Sequence, residues 1–153
     1  METTVLIIDD DMAIRESLAA YLEDRDYRVV LANDGKSGLK ALEAERPDLA
    51  LVDLSMPGVD GFGVLKRAGE TMPDTPVIVV SGTGRISDTV RALHLGAWDY
   101  ILKPIEDMSV VEHALGKALD RARLRRDNLR YQNQLEELVQ ARTAELEESN
   151  IRM

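Results

Sequence analysis

The fold is decided by residues 4–31, whose sequence is TVLIIDDDMAIRESLAAYLEDRDYRVVL. Val5–Ile8 is a short and entirely apolar run, as expected of a strand that is buried on both faces. The segment after it repeats apolar residues at helical spacing, namely Ile14, Leu18, Tyr21 and Leu22. A second apolar run, Val29–Leu31, follows. The stretch therefore predicts a strand, a helix and a second strand.

The same alternation continues through the rest of the globular part. We expect helices at 39–42, 62–68 and 90–95, strands at 49–52, 77–80 and 100–102, and a last helix from about Ser109. Strands that alternate with helices form a parallel sheet covered on both faces. Right-handed crossovers favour the strand order 2-1-3-4-5, and Arg28 marks the second strand as an edge. We predict an α/β fold with a doubly wound, five-stranded parallel sheet and an extended C-terminal helix.

The composition limits the possible functions. Of 153 residues, 44% are hydrophobic and 31% are charged, which suits one globular domain with an appendage. Cysteine is absent, which excludes disulfides and thiolate metal ligands. Because no apolar run is long enough to span a membrane, we expect a cytoplasmic protein. The net charge of −9 argues against nucleic-acid binding, and the arginines at 121–130 are interpreted as the solvated face of a helix.

Polar residues with the chemistry of phosphoryl transfer follow the strands. Asp9 and Asp10 come after the first strand, Asp53 after the third, Ser81 ends the fourth and Lys103 follows the fifth. In the predicted order these groups converge on one edge of the sheet. Crowded carboxylates repel one another unless a cation lies between them, and an oxygen-rich cluster without histidine or thiol favours Mg²⁺. Asp11 is open to two interpretations, a member of this cluster or only the N-cap of the first helix.

Four motifs together resemble the signature of response regulator receiver domains of bacterial two-component systems. They are residues 8–11 (IDDD), 52–61 (VDLSMPGVDG), 80–82 (VSG) and 102–104 (LKP). The similarity extends from about Thr4 to Ala122. It implies a flavodoxin-like fold and a switch that accepts a phosphoryl group from a sensor histidine kinase or a phosphotransfer protein. It also implies that the chain is no enzyme beyond its own phosphorylation and dephosphorylation.

The resemblance also assigns roles to individual residues. Asp53 would be the phosphoryl acceptor, and Ser81 and Lys103 would bind phosphoryl oxygens. Asp10 would bind Mg²⁺ directly, Asp9 largely through water, and Asp53 and the backbone carbonyl of Ser55 would complete the ligand set. The Lys103–Pro104 bond would be cis. Tyr100 matches the switch aromatic of the family, although an ordinary half-buried tyrosine remains the alternative.

The last helix continues well beyond a receiver domain, which we place at residues 1–122. It opens with a capping-box pattern at Ser109 and Glu112. Residues 123–153 have coiled-coil spacing with one discontinuity, carried by Leu124, Tyr131, Leu135 and Leu138 and then by Val139, Leu146 and Met153. Asn128 and Arg142 also occupy seam positions. We predict a homodimer through this helix, which would lead to an output domain absent from the chain; a single solvated helix is the alternative.

Two other functions remain open at this point. A phosphatase of the haloacid-dehalogenase type also carries an Asp-x-Asp motif after its first strand, as Asp9 and Asp11 do here. Such an enzyme places its nucleophile on that first strand and usually needs a larger chain. A coiled-coil adaptor with a degenerate receiver is the other possibility, and the complete set of acidic residues argues against it.

Overall fold

A computed structural model describes residues 2–152, with side-chain environments given through residue 149. The elements alternate along the chain in the predicted way. In chain order they are β1 (Thr4–Ile8), α1 (Met12–Glu23), β2 (Arg28–Ala32), α2 (Gly35–Glu45), β3 (Leu49–Val52), α3 (Gly61–Thr71), β4 (Val77–Ser81), α4 (Ile86–His94), β5 (Asp99–Leu102) and α5 (Ser109–Arg152). Each predicted element is found, and most extend beyond the apolar residues from which they were predicted.

The strands form one parallel sheet in the order β2-β1-β3-β4-β5. This confirms the predicted fold class and places β2, with Arg28, at an edge. β1 lies between β2 and β3, with Val5 opposite both Val29 and Leu49. β1 and β3 are the neighbours at which the strand order reverses, and ligands of such sheets bind beside this point. The topology thus directs attention to the carboxyl ends of the strands.

Two apolar layers cover the sheet. Leu6 and Ile8 of β1 face a layer that includes residues of α2, α3 and α4, whereas Val5 and Ile7 face a layer that includes residues of α1 and α5. All four side chains are at most 1% exposed. Successive strand residues point to opposite faces, so a strand buried on both sides must be apolar at every position. This explains why β1 lacks the alternation of an exposed sheet.

Three helices, α1, α2 and α3, begin with an aspartate as the N-cap residue. Asp11 Oδ1 accepts from the backbone N–H groups of Ala13 and Ile14 at the start of α1. Asp34 and Asp60 cap α2 and α3 in the same manner. These bonds satisfy N–H groups that have no partner within the helix, which permits short connections between strand and helix. Asp11 is therefore the N-cap that one of the two interpretations of the sequence predicted.

The capping box predicted at the start of α5 is not formed. Ser109 N–H donates to Asp107 Oδ1 at 2.9 Å, so Asp107 takes the acceptor role. The Glu112 carboxylate instead accepts from the Tyr21 hydroxyl at 3.0 Å and pairs with Arg25 at 2.7 Å. Both partners belong to α1 or its end. A tertiary contact between α1 and α5 has thus replaced a local one.

The helix α5 is continuous across residue 122, but its surroundings change there. Ala122 is 5% exposed, whereas the apolar residues of the predicted seam are all exposed: Leu124, Tyr131, Leu135, Leu138, Val139 and Leu146. Met153 lies outside the described residues. Near the transition, Arg121 lies over the Trp98 ring and Arg125 pairs with Asp74 at 3.6 Å. Among the described residues, no helix has the length and apolarity that a membrane crossing requires.

Two glycine-to-alanine substitutions should have opposite effects on stability. A Cβ at Gly61 would overlap the backbone of Asp53 and lie 2.6 Å from Leu54 Cα, whereas a Cβ at Gly116 would meet no atom within 4 Å. We expect Gly61→Ala to destabilise the protein by about 1–3 kcal/mol, the usual cost of overpacking. Gly116→Ala should stabilise it by up to ~1 kcal/mol through helix propensity. Urea unfolding measures both, and equal effects would contradict the packing at Gly61.

Candidate functional site

Backbone hydrogen bonds fix the residues that follow the strands. Asp53 N–H donates to the Ile8 carbonyl at 2.9 Å, and Lys103 N–H donates to the Ser81 carbonyl at 2.9 Å. The parallel pairing therefore continues one residue beyond β3 and β5. Because these side chains start from a rigid sheet edge, little conformational freedom has to be lost when they act together.

Three aspartates come together at this edge, as the sequence predicted. Asp9, Asp10 and Asp53 each place one carboxylate oxygen within 4.8 Å of the others. Asp9 is 2% exposed and Asp53 is 7% exposed, whereas Asp10 is exposed. A set of carboxylate oxygens with one side open to water suits Mg²⁺, which keeps several water ligands. Ser55 donates its backbone N–H to Asp53 Oδ1 at 3.3 Å, while the proposed role of its carbonyl remains a prediction.

Lys103 reaches into the same cluster. Its Nζ lies 2.8 Å from Asp9 Oδ2 and 3.5 Å from Asp53 Oδ2, and its side chain is 15% exposed. The Lys103–Pro104 peptide bond is cis, as the resemblance implied. A partly desolvated ammonium group interacts strongly with nearby carboxylates, which compensates for part of the cost of burying them. The lysine thus holds one positive charge between two negative ones.

The environment of Asp53 makes its ionised form less favourable than that of an ordinary aspartate. Burial raises the pKa of the Asp53 carboxyl above its ordinary value, Lys103 opposes this effect, and Asp9 adds to it. The Ser55 N–H, which donates to Asp53 Oδ1, also opposes the rise, and so does the nearby Ser81 hydroxyl. The burial effect is the largest of these. A cation or a neutralising reaction at this carboxylate therefore relieves an unfavourable charge.

A second group of hydrogen bonds joins Ser81 to Tyr100 through Thr83. Thr83 N–H donates to the fully buried Ser81 Oγ at 3.4 Å, and the Tyr100 hydroxyl donates to the Thr83 carbonyl at 2.8 Å. The Thr83 hydroxyl donates to Asp88 Oδ2 at 2.6 Å, in the first turn of α4. The half-buried Tyr100 is thus connected to the site through one intervening residue. The spacing of residues in the sequence does not indicate the bond between Thr83 and Asp88.

Arg15 forms a contact with the site that was not predicted from the sequence. Its Nη1 donates to the backbone carbonyl of Asp9 at 2.7 Å. The available signal was its position: a basic residue near the N-terminus of α1, where the helix dipole disfavours cations. Asp11, by contrast, is outside the cluster of carboxylates because its side chain caps α1.

Comparison with known proteins gives consistent matches. Residues 5–116 match the family model described as response regulator receiver domain. Response regulator MprA of Mycobacterium ulcerans is 37% identical over 129 residues, which cover 84% of this chain and 53% of that protein. The probable transcriptional regulator ycf27 of Guillardia theta is 37% identical over 124 residues, which cover 81% of this chain and 46% of that protein. The chain thus spans about half the length of these curated relatives.

Solved structures agree with the sequence matches. A CheY-like response regulator receiver domain protein from Methanospirillum hungatei is similar with a TM-score of 0.77 and 32% identity, covering 82% of this chain and 99% of that one. NtrX from Brucella abortus, solved in complex with ADP, gives a TM-score of 0.78 and 31% identity. The match covers 83% of this chain and 29% of the NtrX chain. The similarity therefore includes both isolated receiver domains and longer proteins.

Removing the charge of Asp53 should stabilise the protein when no divalent cation is present. We expect Asp53→Asn to raise the melting temperature by a few degrees near neutral pH, because burial raises the pKa of this carboxyl. A raised pKa in the folded state destabilises the fold above that pKa, and the cost disappears below the ordinary value of 3.8. The gain should therefore shrink on acidification.

Thermal unfolding in a chelator at a series of pH values measures this effect. Asp127→Asn, on the exposed part of α5, removes the same charge and should change the melting temperature little. Equal melting temperatures of wild type and Asp53→Asn near neutral pH would contradict the electrostatic description of the site. A difference in melting temperature between Asp53→Asn and wild type that increases on acidification would also contradict it.

Proposed function

Because this chain belongs to the response regulator receiver domains, we propose that Asp53 is the aspartate that accepts its phosphoryl group. Phosphoryl acceptance by an aspartate in two-component systems is the general function of the family. The observation that supports Asp53 is its position, buried at the sheet edge beside Lys103 and close to the other two aspartates. Asp9 is held by Lys103 at 2.8 Å and Asp10 is exposed, so Asp53 is the carboxylate best placed to gain from neutralisation.

The donor in this proposal is a phosphohistidine on a sensor histidine kinase or a phosphotransfer protein. An Asp53 carboxylate oxygen attacks phosphorus in line with the phosphorus–nitrogen bond, and that bond breaks as the new phosphorus–oxygen bond forms. The imidazole leaves with the electron pair and takes a proton. Lys103 and Ser81 then bind oxygens of the transferred group. The product is a mixed anhydride of Asp53, which water can hydrolyse to restore the carboxylate.

We propose Mg²⁺ as the cofactor, held by Asp9, Asp10, Asp53 and the Ser55 carbonyl. A hard divalent cation neutralises the charge that develops on the phosphoryl oxygens. The fit rests on the donor set, three carboxylates within 4.8 Å of one another and open to water on the side of Asp10. The charge of the cation also offsets the repulsion between Asp9 and Asp53 that contributes to the raised pKa of Asp53.

The switch that reports phosphorylation is proposed to run through Ser81 and Tyr100. Ser81 must approach a phosphoryl group on Asp53 in order to bind it, and its Oγ accepts from Thr83 N–H. Thr83 in turn accepts from the Tyr100 hydroxyl and donates to Asp88 in α4. Movement of Ser81 therefore strains bonds to both β5 and α4. We propose that this face and α5 transmit the state of Asp53.

We assign residues 1–122 to the receiver and residues 123–153 to a helical connector that forms a homodimer. The support is the loss of burial after Ala122 and the exposed apolar stripe at coiled-coil spacing. Because the curated relatives are about twice as long as the match, we propose an output domain beyond the connector. We propose no nucleic-acid contact for this chain, since the net charge of its 153 residues is −9. We also propose a cytoplasmic location, where ATP is available to the sensor kinase.

The chain is proposed to catalyse nothing beyond its own phosphorylation and dephosphorylation. A haloacid-dehalogenase phosphatase would need a free aspartate two residues after its nucleophile on the first strand. Here the candidate, Asp11, has its side chain engaged with Ala13 and Ile14. Its carboxylate is therefore poorly placed to serve as an acid or base. Turnover of a phosphomonoester that survives Asp53→Asn would favour the phosphatase.

Phosphorylation of Asp53 can be tested directly with a small acyl phosphate. Wild type with Mg²⁺ should gain one phosphoryl group, detected by intact-protein mass spectrometry, and should gain none in a chelator. Asp53→Asn should remain unlabelled because it lacks the nucleophile. Asp127→Asn, with the same charge change on the exposed helix, should be labelled like wild type. Equal labelling of Asp53→Asn and wild type would refute the assignment.

Dimerisation through α5 can be tested by placing a charge in the apolar stripe. Leu135 is 43% exposed and lies in the seam with Tyr131 and Leu138, whereas Asn133 faces away from it. Light scattering should give the mass of a dimer for wild type and for Asn133→Glu, and that of a monomer for Leu135→Glu. The measurement should be made with and without phosphorylation. A monomeric wild type in both states would eliminate the homodimer.

A further inference from the structure

The turn between β1 and α1 carries two of the three clustered carboxylates, and hydrogen bonds close it on itself. Asp11 N–H donates to Asp9 Oδ1 at 2.9 Å, and Arg15 N–H donates to the Asp11 carbonyl at 3.0 Å. Asp9 N–H is fixed by the Ala32 carbonyl of β2 at 3.1 Å. The Arg15 guanidinium then donates to the Asp9 carbonyl at 2.7 Å. Both peptide groups of Asp9 are therefore restrained.

Asp10, in the middle of this turn, has no such restraint of its own. Its side chain is exposed, and within residues 2–152 no hydrogen bond or ion pair holds its carboxylate. Its oxygen nevertheless lies within 4.8 Å of oxygens of Asp9 and Asp53. The backbone on either side must therefore set its position. The Asp9 carbonyl belongs to the peptide group that joins Asp9 to Asp10, so the Arg15 contact acts directly on the backbone that carries Asp10.

The guanidinium group of Arg15 is also unusual because it forms no ion pair with a carboxylate among the described residues, although three acidic residues precede it in the same turn. A guanidinium group has five donors, and a charge-assisted bond at 2.7 Å is short and strong. Arg15 is partly buried, which reduces screening by solvent. The charged group is thus committed to a backbone carbonyl next to the acidic cluster.

We infer that Arg15 is a positioning residue for the cation site: its bond to the Asp9 carbonyl holds the turn so that Asp10 faces Asp9 and Asp53. The inference rests on the proposed Mg²⁺ site and deepens it. Two effects of Arg15 on cation binding oppose each other. Its positive charge repels a divalent cation, whereas its hydrogen bond preorganises a ligand. We expect the preorganisation of Asp10 to outweigh the repulsion between Arg15 and the cation.

Three variants separate the two effects. Arg15→Met removes both the charge and the donors, Arg15→Lys keeps the charge with a single donor group, and Arg130→Met removes an arginine on the exposed part of α5. Mg²⁺ binding to the unphosphorylated full chain is measured by titration calorimetry, and thermal unfolding in a chelator tests whether each variant is folded. The rate of phosphorylation by an acyl phosphate is measured as a function of Mg²⁺ concentration.

We expect Arg15→Met to weaken Mg²⁺ binding roughly tenfold, the lower end of the range for residues that orient metal ligands. Arg15→Lys should recover part of the loss, and Arg130→Met should bind like wild type. The phosphorylation rate of Arg15→Met should return towards that of wild type at saturating Mg²⁺. Melting temperatures without the cation should differ little.

Unchanged or tighter Mg²⁺ binding by Arg15→Met would overturn the inference, because the charge effect would then be the larger one. If Arg15→Met were unfolded in the chelator, Arg15→Lys would decide, because it keeps the charge and changes only the hydrogen bond. Mg²⁺ binding weaker than that of wild type would then support positioning, and binding equal to that of wild type would contradict it. Should wild type bind no Mg²⁺, the proposed function would fail together with this inference. Binding by wild type with no effect of Arg15 would remove the inference alone.

Discussion

Asp9, Asp53 and Lys103 carry charge where their side chains are at most 15% exposed, so their mutual arrangement constrains the surrounding structure. Burial raises the pKa of Asp53 and the Asp9 carboxylate adds to the rise, whereas the ammonium group of Lys103 opposes it. The parallel sheet makes this arrangement possible, because strands far apart in sequence end at the same edge. An unfavourable charge is thereby stored at the point where a cation and a phosphoryl group are proposed to bind.

Much of the fold could be predicted from residue patterns, since strands buried on both faces are apolar without alternation, as in Val5–Ile8, Leu49–Val52 and Val77–Val80. The convergence of Asp9, Asp10 and Asp53 followed from strand order alone. The contacts of long side chains could not be predicted in the same way. Glu112 fits a local capping box by spacing but pairs with Tyr21 and Arg25 instead. Arg15 likewise contacts a backbone carbonyl, and carbonyl positions leave no trace in sequence.

The site and the exposed helix occupy different parts of the molecule, and the elements between them are already connected. Thr83 links Ser81 to Tyr100 of β5 and to Asp88 of α4 through bonds of 2.6–3.4 Å. On the other face of the sheet, α5 packs Val111 and Leu115 against the strands and contacts α1 through Glu112. A change at Asp53 can therefore reach α5 only by altering contacts of well-packed elements. Such interiors respond by discrete rearrangement and transmit strain because they compress little.

The continuity of α5 has a mechanical consequence. About 30 residues follow Ala122 in one unbroken helix, which at 1.5 Å per residue makes a rod of roughly 45 Å. A tilt of about five degrees at its base would displace its far end by roughly 4 Å, about three quarters of the ~5.4 Å pitch of a helix. The rod thus converts a tilt too small to disturb the packing at its base into a displacement of several ångströms at its far end.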